Sequence, residues 1–254
     1  GGASDGSLRQ TVGHSVAGDP AGHAWGGGYT ESSFFPTTVT APHLFPGQTD
    51  DPNGGGGFLT ELAADGASLL YSSVFRAPYS FFFDAFLPNT SIDNIAVDDA
   101  GKVYATTNGY VLKLDPATNR ADYVTYIGGL ARGIAVDGSG QAYVAGFTRS
   151  STFPTKNALF PQLHSPGSEE RDSLSDAIVV KLSSDGDVLF STYLGGRGQE
   201  GANEIAVDGS GVIYVVGKTQ SDDLPVPGGL DTLLTLGDQD GFLVKLANDG
   251  SSLL

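Results

Sequence analysis

Apolar residues along this chain come in short runs rich in Val, Ile, Leu, Tyr and Phe, cut by Gly, Asp, Ser and Pro. Runs this short, with β-branched and aromatic enrichment, predict strands. No stretch keeps apolar positions at helical spacing between caps, so little helix is expected. The order of the runs recurs. Ile134–Thr148 aligns without a gap to Ile205–Thr219, and Val16–Thr30 keeps the register with Asp19, Gly22, Trp25 and Gly28 in place of Asp137, Gly140, Tyr143 and Gly146. A further copy begins at Ile95-Ala-Val-Asp98 and continues through Gly101 and Tyr104. Each copy is followed by a second block: Gly57–Gly66, Ala177–Gly186, Gly241–Gly250 and the shortened Gly109–Asp115.

In the third copy the predicted strands are Gly133–Val136, Gln141–Thr148, Ala177–Leu182 and Val188–Leu194. Asp-x-x-Gly separates the first two; the Asp side chain can bond its own backbone two residues on, and Gly accepts the positive φ that closes a tight hairpin. Four antiparallel strands per unit, repeated radially, predict an all-β fold, a β-propeller of four-stranded blades. One domain is expected over 1–254, with repeats at about 1–75, 76–127, 128–194 and 195–254. The four repeats fit a closed ring, part of a larger ring, or half of a ring completed by a second copy. Leu254 aligns with Leu70, where the first copy continues to Phe75, so the sequence reads as an excerpt of a longer chain.

Ser191-Thr-Tyr-Leu-Gly-Gly196, Ile205-Ala-Val-Asp208, Tyr214-Val-Val-Gly217, Thr219-x-Ser221 and Gly241-Phe-Leu-Val-Lys-Leu246 resemble the bacterial SBBP family of β-propeller repeats. Gly146-x-Thr148-x-Ser150-x-x-Phe-Pro154 carries the next segment of that pattern. The resemblance covers nearly the whole chain and implies a secreted or surface-associated propeller; it implies no particular chemistry. The second copy departs from it, running from Thr107 straight to Asn108-Gly109.

Alternating strand direction puts the tight Asp-Gly turns on one face. All the length variation then falls on the other: Glu31–Gly56, Arg149–Ser175 and Gln220–Gln239 inside blades, and Arg76–Ser91 between blades. Insertions in repeat architectures gather on one face, often the binding face. Two features there are candidate sites. The connector Pro78–Phe86 offers Tyr79, Phe81, Phe82, Phe83 and Phe86 as an aromatic contact surface, or as rings filling the gap beside the short second blade. Acids precede the third strands at Asp50, Asp51, Glu169, Glu170 and Asp172 (with Asp176), and at Asp238 and Asp240. They read first as solvated acids, with Ca²⁺ held by hard oxygen ligands as the alternative. No other cofactor is expected.

Composition narrows the partners. Thirteen basic against 29 acidic side chains leave a formal charge of −16, which argues against nucleic acid and an anionic membrane surface. No apolar run is long enough to span a membrane. Without Cys there are no disulfides, thiol nucleophiles or thiolate metal sites. Gly196-Arg-Gly-Gln-Glu-Gly201 matches a dinucleotide-binding spacing, but a strand rather than a helix follows, so it reads as a flexible connector. His14, His23, His43 and His164 do not repeat between copies and read as loop or blade-edge residues, and no catalytic set stands out. The expected function is a non-enzymatic, secreted or cell-surface binding or scaffolding module, meeting a protein, a surface polysaccharide or copies of itself through its loop-rich face. A propeller hydrolase or lyase acting on polysaccharide or peptide is the alternative.

Overall fold

The structure is a computed structural model, and it describes residues 10–40, 42, 55–75, 80–82, 85–87, 91–164, 175–225 and 239–254. Blade 1 consists of β1 (Thr11–Gly18), β2 (Ala24–Thr30), β3 (Gly56–Leu62) and β4 (Leu69–Phe75). A short hairpin follows, β5 (Ser80–Phe82) and β6 (Ala85–Leu87), where the sequence suggested only a connector. Blade 2 is β7 (Asn94–Val97), β8 (Val103–Thr107), β9 (Tyr110–Asp115) and β10 (Arg120–Tyr126). Blade 3 is β11 (Leu130–Val136), β12 (Ala142–Thr148), β13 (Asp176–Leu182) and β14 (Val188–Leu194). Blade 4 is β15 (Glu200–Val207), β16 (Ile213–Thr219) and β17 (Asp240–Leu246), and Leu253 bridges Leu246 at the position of an outer strand.

Every sheet is an antiparallel meander in sequence order, and the four blades make a β-propeller. The described residues include no helix, and therefore none long and apolar enough to cross a membrane. The first strands are innermost: β1 lies against β7, β7 against β11, and β11 against β15. In blade 2, as the shortened copy implies, the second and third strands are joined by Asn108 (φ 39°) and Gly109 (φ 80°), both left-handed, the backbone of a two-residue type I′ hairpin.

The Asp-x-x-Gly turns fold as their chemistry requires. Asp137 Oδ1 accepts from the backbone N–H of Ser139 (2.9 Å) and Gln141 (3.0 Å), while Gly140 takes φ 75°. Asp98 and Asp208 do the same in blades 2 and 4. Their second carboxylate oxygens accept a tyrosine hydroxyl six residues on, in the second strand: Tyr104 to Asp98 (3.0 Å), Tyr143 to Asp137 (2.9 Å) and Tyr214 to Asp208 (3.0 Å). A lysine from the third strand lies over each ring, Lys113, Lys181 and Lys245, at 5.2, 4.8 and 5.1 Å.

These side chains also join blades. Lys113 Nζ donates to Ser184 O of blade 3 at 3.2 Å, and Lys181 Nζ donates to Asn248 O of blade 4 at 3.1 Å. The tight turns of blades 2, 3 and 4 therefore share one face, and the strand ends from which the long links depart share the other. Three apolar cores fill the joints. Trp25, Leu59 and Phe75 meet Ile95, Val103 and Leu112 between blades 1 and 2. Tyr104 and Val111 meet Ile134, Val144 and Val180 between blades 2 and 3. Tyr143, Val179 and Leu194 meet Ile205, Val215 and Leu246 between blades 3 and 4. Each such side chain, fully buried, contributes about 1.5–3 kcal/mol.

Candidate functional site

The most chemically varied position of the repeat lies at the loop-rich end of the axis. The first strands of blades 1, 3 and 4 each carry a bulge, between Gly13 and Ser15, between Ala131 and Gly133, and between Ala202 and Glu204. The extra residues are His14, Arg132 and Asn203, and in blade 2 the equivalent position, just before β7, is Asp93. A bulge re-aims one side chain away from the ladder, and bulges are frequent beside functional sites. Opposite each bulge stands glycine: Gly28 faces Gly13, Gly146 faces Ala131 and Gly217 faces Ala202. A Cβ at Gly146 would run into Leu130 O and come within 3.0 Å of Ala131 Cα. Blade 2, which has no bulge in β7, carries Thr107 there.

The four side chains take part in neighbouring groups of polar contacts. Ser91 Oγ lies 2.8 Å from His14 Nδ1, and Ser15 Oγ donates to Asn94 Oδ1 at 2.9 Å. Asn94 Nδ2 donates to Glu204 Oε2 of blade 4 at 3.1 Å. Arg132 Nη1 donates to Asn203 Oδ1 at 3.1 Å, with its guanidinium 4.7 Å over the Phe147 ring. Burial pushes the Asp93 carboxyl up to about 6, against the pull of the Ser91 hydroxyl and of the His14 and Arg132 charges. His14, Arg132 and Asn203 are exposed. The array offers donors and acceptors of several kinds side by side, which suits hydrogen-bonding recognition of a polar ligand. Sequence comparison of the repeats contained the signal: two residues before each Ile/Val-Ala pair, the residue type changes in every copy while its surroundings persist.

A second polar cluster joins blades 3 and 4 on the same face. Glu200 is buried and accepts from Thr219 Oγ1 (2.7 Å), Ser221 Oγ (2.6 Å) and Gly196 N (2.9 Å). Asp176 is also buried; its Oδ2 accepts from His164 N at 2.9 Å, and its Oδ1 has no partner among the described residues. Burial, with the Glu200 charge adding, raises the Asp176 carboxyl to about 6. Asp176 was grouped with solvated acids on sequence grounds, and its complete burial overturns that reading. The Gly196–Gly201 segment is not a loose connector either. Gly196 N bonds Glu200, Arg197 N bonds Asp223 Oδ1 (2.8 Å), and Gly198 N bonds Ser221 Oγ (2.6 Å).

Tyr79, Phe83, Asp50, Asp51, Glu169, Glu170, Asp172, Asp238 and His43 lie outside the described residues. Phe81 and Phe82 fall in β5 and Phe86 in β6. Asp240 opens β17, paired with Thr219. Of the histidines, His14 sits within innermost strand β1 instead of a loop or blade edge.

On the tight-turn face, blade 1 departs from the Asp–Tyr–Lys frame: Trp25 stands where the others have Tyr, and Glu61 where they have Lys. His23 restores the missing donor, its Nδ1 lying 2.9 Å from both Asp19 Oδ2 and Glu61 Oε1. The ligand atoms of these three residues lie within 4.8 Å of one another, a spacing open to a metal ion, although hydrogen bonding already accounts for it.

Residues 189–225 match the family model SBBP, described as a beta-propeller repeat. That segment runs from β14 through β15 and β16, so the repeat in sequence begins with the outer strand of one blade and continues into the next. No curated protein is matched by the sequence. Solved structures similar in fold include the glutaminyl cyclase of Myxococcus xanthus, at 13% identity and TM-score 0.36, covering 81% of this chain and 61% of that one. The periplasmic gluconolactonase of Pseudomonas aeruginosa is similar at 12% identity and TM-score 0.45, covering 94% and 70%. An extracellular domain from B. thetaiotaomicron, named for a hybrid two component system, is similar at 12% and 0.42, covering 98% of this chain and 27% of that one. The chain thus spans under two thirds of the cyclase.

Proposed function

We propose that this propeller is a non-enzymatic binding and scaffolding module, secreted or at the cell surface, that engages a surface polysaccharide or a protein through its loop-rich face. The observation that carries this reading is the contrast between the two faces. On the tight-turn face blades 2 to 4 repeat the same Asp–Tyr–Lys bonds. On the other face the axial position changes to His14, Asp93, Arg132 and Asn203, and the links between second and third strands range from two residues to long loops. Repetition there would have sufficed for folding, so the variation points to recognition. Glu200, buried on that face, is committed to its own chain's hydroxyls and amide, which leaves it poorly placed as an acid catalyst.

Binding to an array of bacterial surface polysaccharides, repeated with Arg132→Ala and His14→Ala, tests the reading. Loss of binding in both variants, with unchanged melting, supports it. Turnover of glycoside, lactone or peptide substrates that disappears in Asp93→Asn would replace it with the hydrolase or lyase alternative.

A further inference from the structure

Blade 1 keeps the turn of the other blades and changes the charges mounted on it. Asp19 closes the turn as its counterparts do, with Oδ1 accepting from His23 N at 2.8 Å and Gly22 at φ 82°. The partners of its other oxygen differ. In blades 2 to 4 that oxygen takes a tyrosine hydroxyl, and a third-strand lysine lies over the ring. Burial lowers the Lys181 ammonium and the Asp137 charge pulls it back up, so acid and cation offset each other in that frame. In blade 1 the ring is Trp25, which has no hydroxyl, and the lysine position is Glu61, paired with Trp25 as Lys181 is with Tyr143. His23 stands where the other blades have Lys102, Gln141 and Val212. The three differences act together: the lysine of the frame is gone, a second carboxylate takes its place, and an imidazole enters between the two acids.

Hydrogen bonding accounts for the spacing of these residues but not for their charge. His23 Nδ1 lies 2.9 Å from Asp19 Oδ2 and 2.9 Å from Glu61 Oε1. A ring nitrogen carries at most one proton, so two carboxylates share a single donor. Both acids are largely withdrawn from water, their side chains 8% and 14% exposed, while His23 at 28% leaves the cluster within reach of solvent. We propose that Asp19, His23 and Glu61 form a binding site for one divalent transition-metal ion, Zn²⁺ in particular, on the face opposite the loops. An ion in the place of the shared proton meets all three atoms at once and supplies the positive charge that lysine supplies in the other blades. One imidazole nitrogen with two carboxylate oxygens suits Zn²⁺ at about 2.0–2.2 Å from each and water in the fourth position, whereas Ca²⁺ takes oxygen ligands. Asp19 and His23 flank the β1–β2 turn and Glu61 lies in β3, so the ion ties together the first three strands of blade 1. Trp25, on β2, packs in the core between blades 1 and 2, a joint formed within this chain.

Calorimetric titration of the untagged, chelator-treated chain with Zn²⁺ tests this. One ion per chain should bind, and the melting temperature should rise with Zn²⁺, because the unfolded chain does not hold the three residues together. His23→Ala and Glu61→Gln should each weaken binding by at least about tenfold. Glu61→Lys restores the residue of the other blades; it should keep the β-sheet circular dichroism and abolish the Zn²⁺ response, which separates loss of the site from loss of the fold. His164→Ala, in the cluster of the loop-rich face, should leave the titration unchanged. A chain that takes up no Zn²⁺ overturns the proposal. So does uptake that survives His23→Ala, or displacement of the Zn²⁺ by equimolar Ca²⁺.

Discussion

The carboxyls of Asp176 and Glu200 close on the same backbone atom from two blades: a Cβ added at Gly195 would lie 2.7 Å from Asp176 Oδ1 and 2.8 Å from Glu200 Oε2. Only glycine lets the chain pass between them. The pair welds blade 3 to blade 4 at the loop-rich face, and it carries a pH cost. Burial raises the folded Asp176 carboxyl to about 6 from an ordinary 3.8. The folded state therefore holds the proton more tightly than the unfolded chain. The stability so contributed is complete below about pH 4 and is lost as pH rises through about 6. A shift of this size corresponds to roughly 2–3 kcal/mol. Asp176→Asn should remove that dependence and raise the melting temperature at pH 8 more than at pH 4.5, since an amide N–H₂ can donate toward Glu200. Thermal unfolding at both pH values checks this; an equal effect at both would refute the assignment.

Tyr143 and Tyr214 share a frame position but not a neighbour. The Tyr143 hydroxyl reaches Asp137 Oδ2 and also Asn248 Oδ1 of blade 4, each at 2.9 Å, inside a buried joint. Tyr214 bonds only Asp208 among the contacts described. Tyr143→Phe should cost about 1–2 kcal/mol, and Tyr214→Phe clearly less in the isolated chain, as read by urea unfolding.

The bulges should make their facing glycines intolerant of any side chain. Gly146→Ala drives a methyl into Leu130 O and should cost about 2–4 kcal/mol, whereas Gly138→Ala, with open space around its Cβ and no positive φ, should be near neutral. Denaturant midpoints for the two variants provide the comparison.

The Asn108-Gly109 hairpin lies where other blades carry long loops, so lengthening it should be tolerated. A flexible Gly/Ser insertion between these residues should lower stability by about 1–2 kcal/mol or less, because closure entropy grows slowly with loop length. Gly109→Ala should be the more harmful change per residue: φ is 80°, and the added Cβ would sit 2.9 Å from Gly129 O. Melting curves of the two variants rank them.

Much of the architecture was legible in the residues alone. In blade 3 the predicted strands coincide with β12, β13 and β14 to within a residue, while β11 starts three residues earlier than expected, because its first part lies beyond the bulge at Arg132. Periodicity has no way to register a residue that steps out of the ladder. The axial position shows in the aligned repeats as one that changes in every copy, but only the structure shows that His14, Arg132 and Asn203 step out of the ladder there.

What the sequence by itself determined is the blade: strands from short apolar runs, turns from Asp and left-handed Gly, and one face on which the loops vary. These follow from neighbours along the chain, and each repeat specifies them again. What only the tertiary structure decided is environment. Val179 and Leu243 are near-equivalent in type and place, yet one is enclosed and the other exposed, because among the described residues only Val179 meets the strands of a following blade. Asp176 and Asp240 both open third strands, and only Asp176 is shut in against a second carboxylate. Burial and charge proximity depend on residues far away in sequence, so no local pattern can encode them.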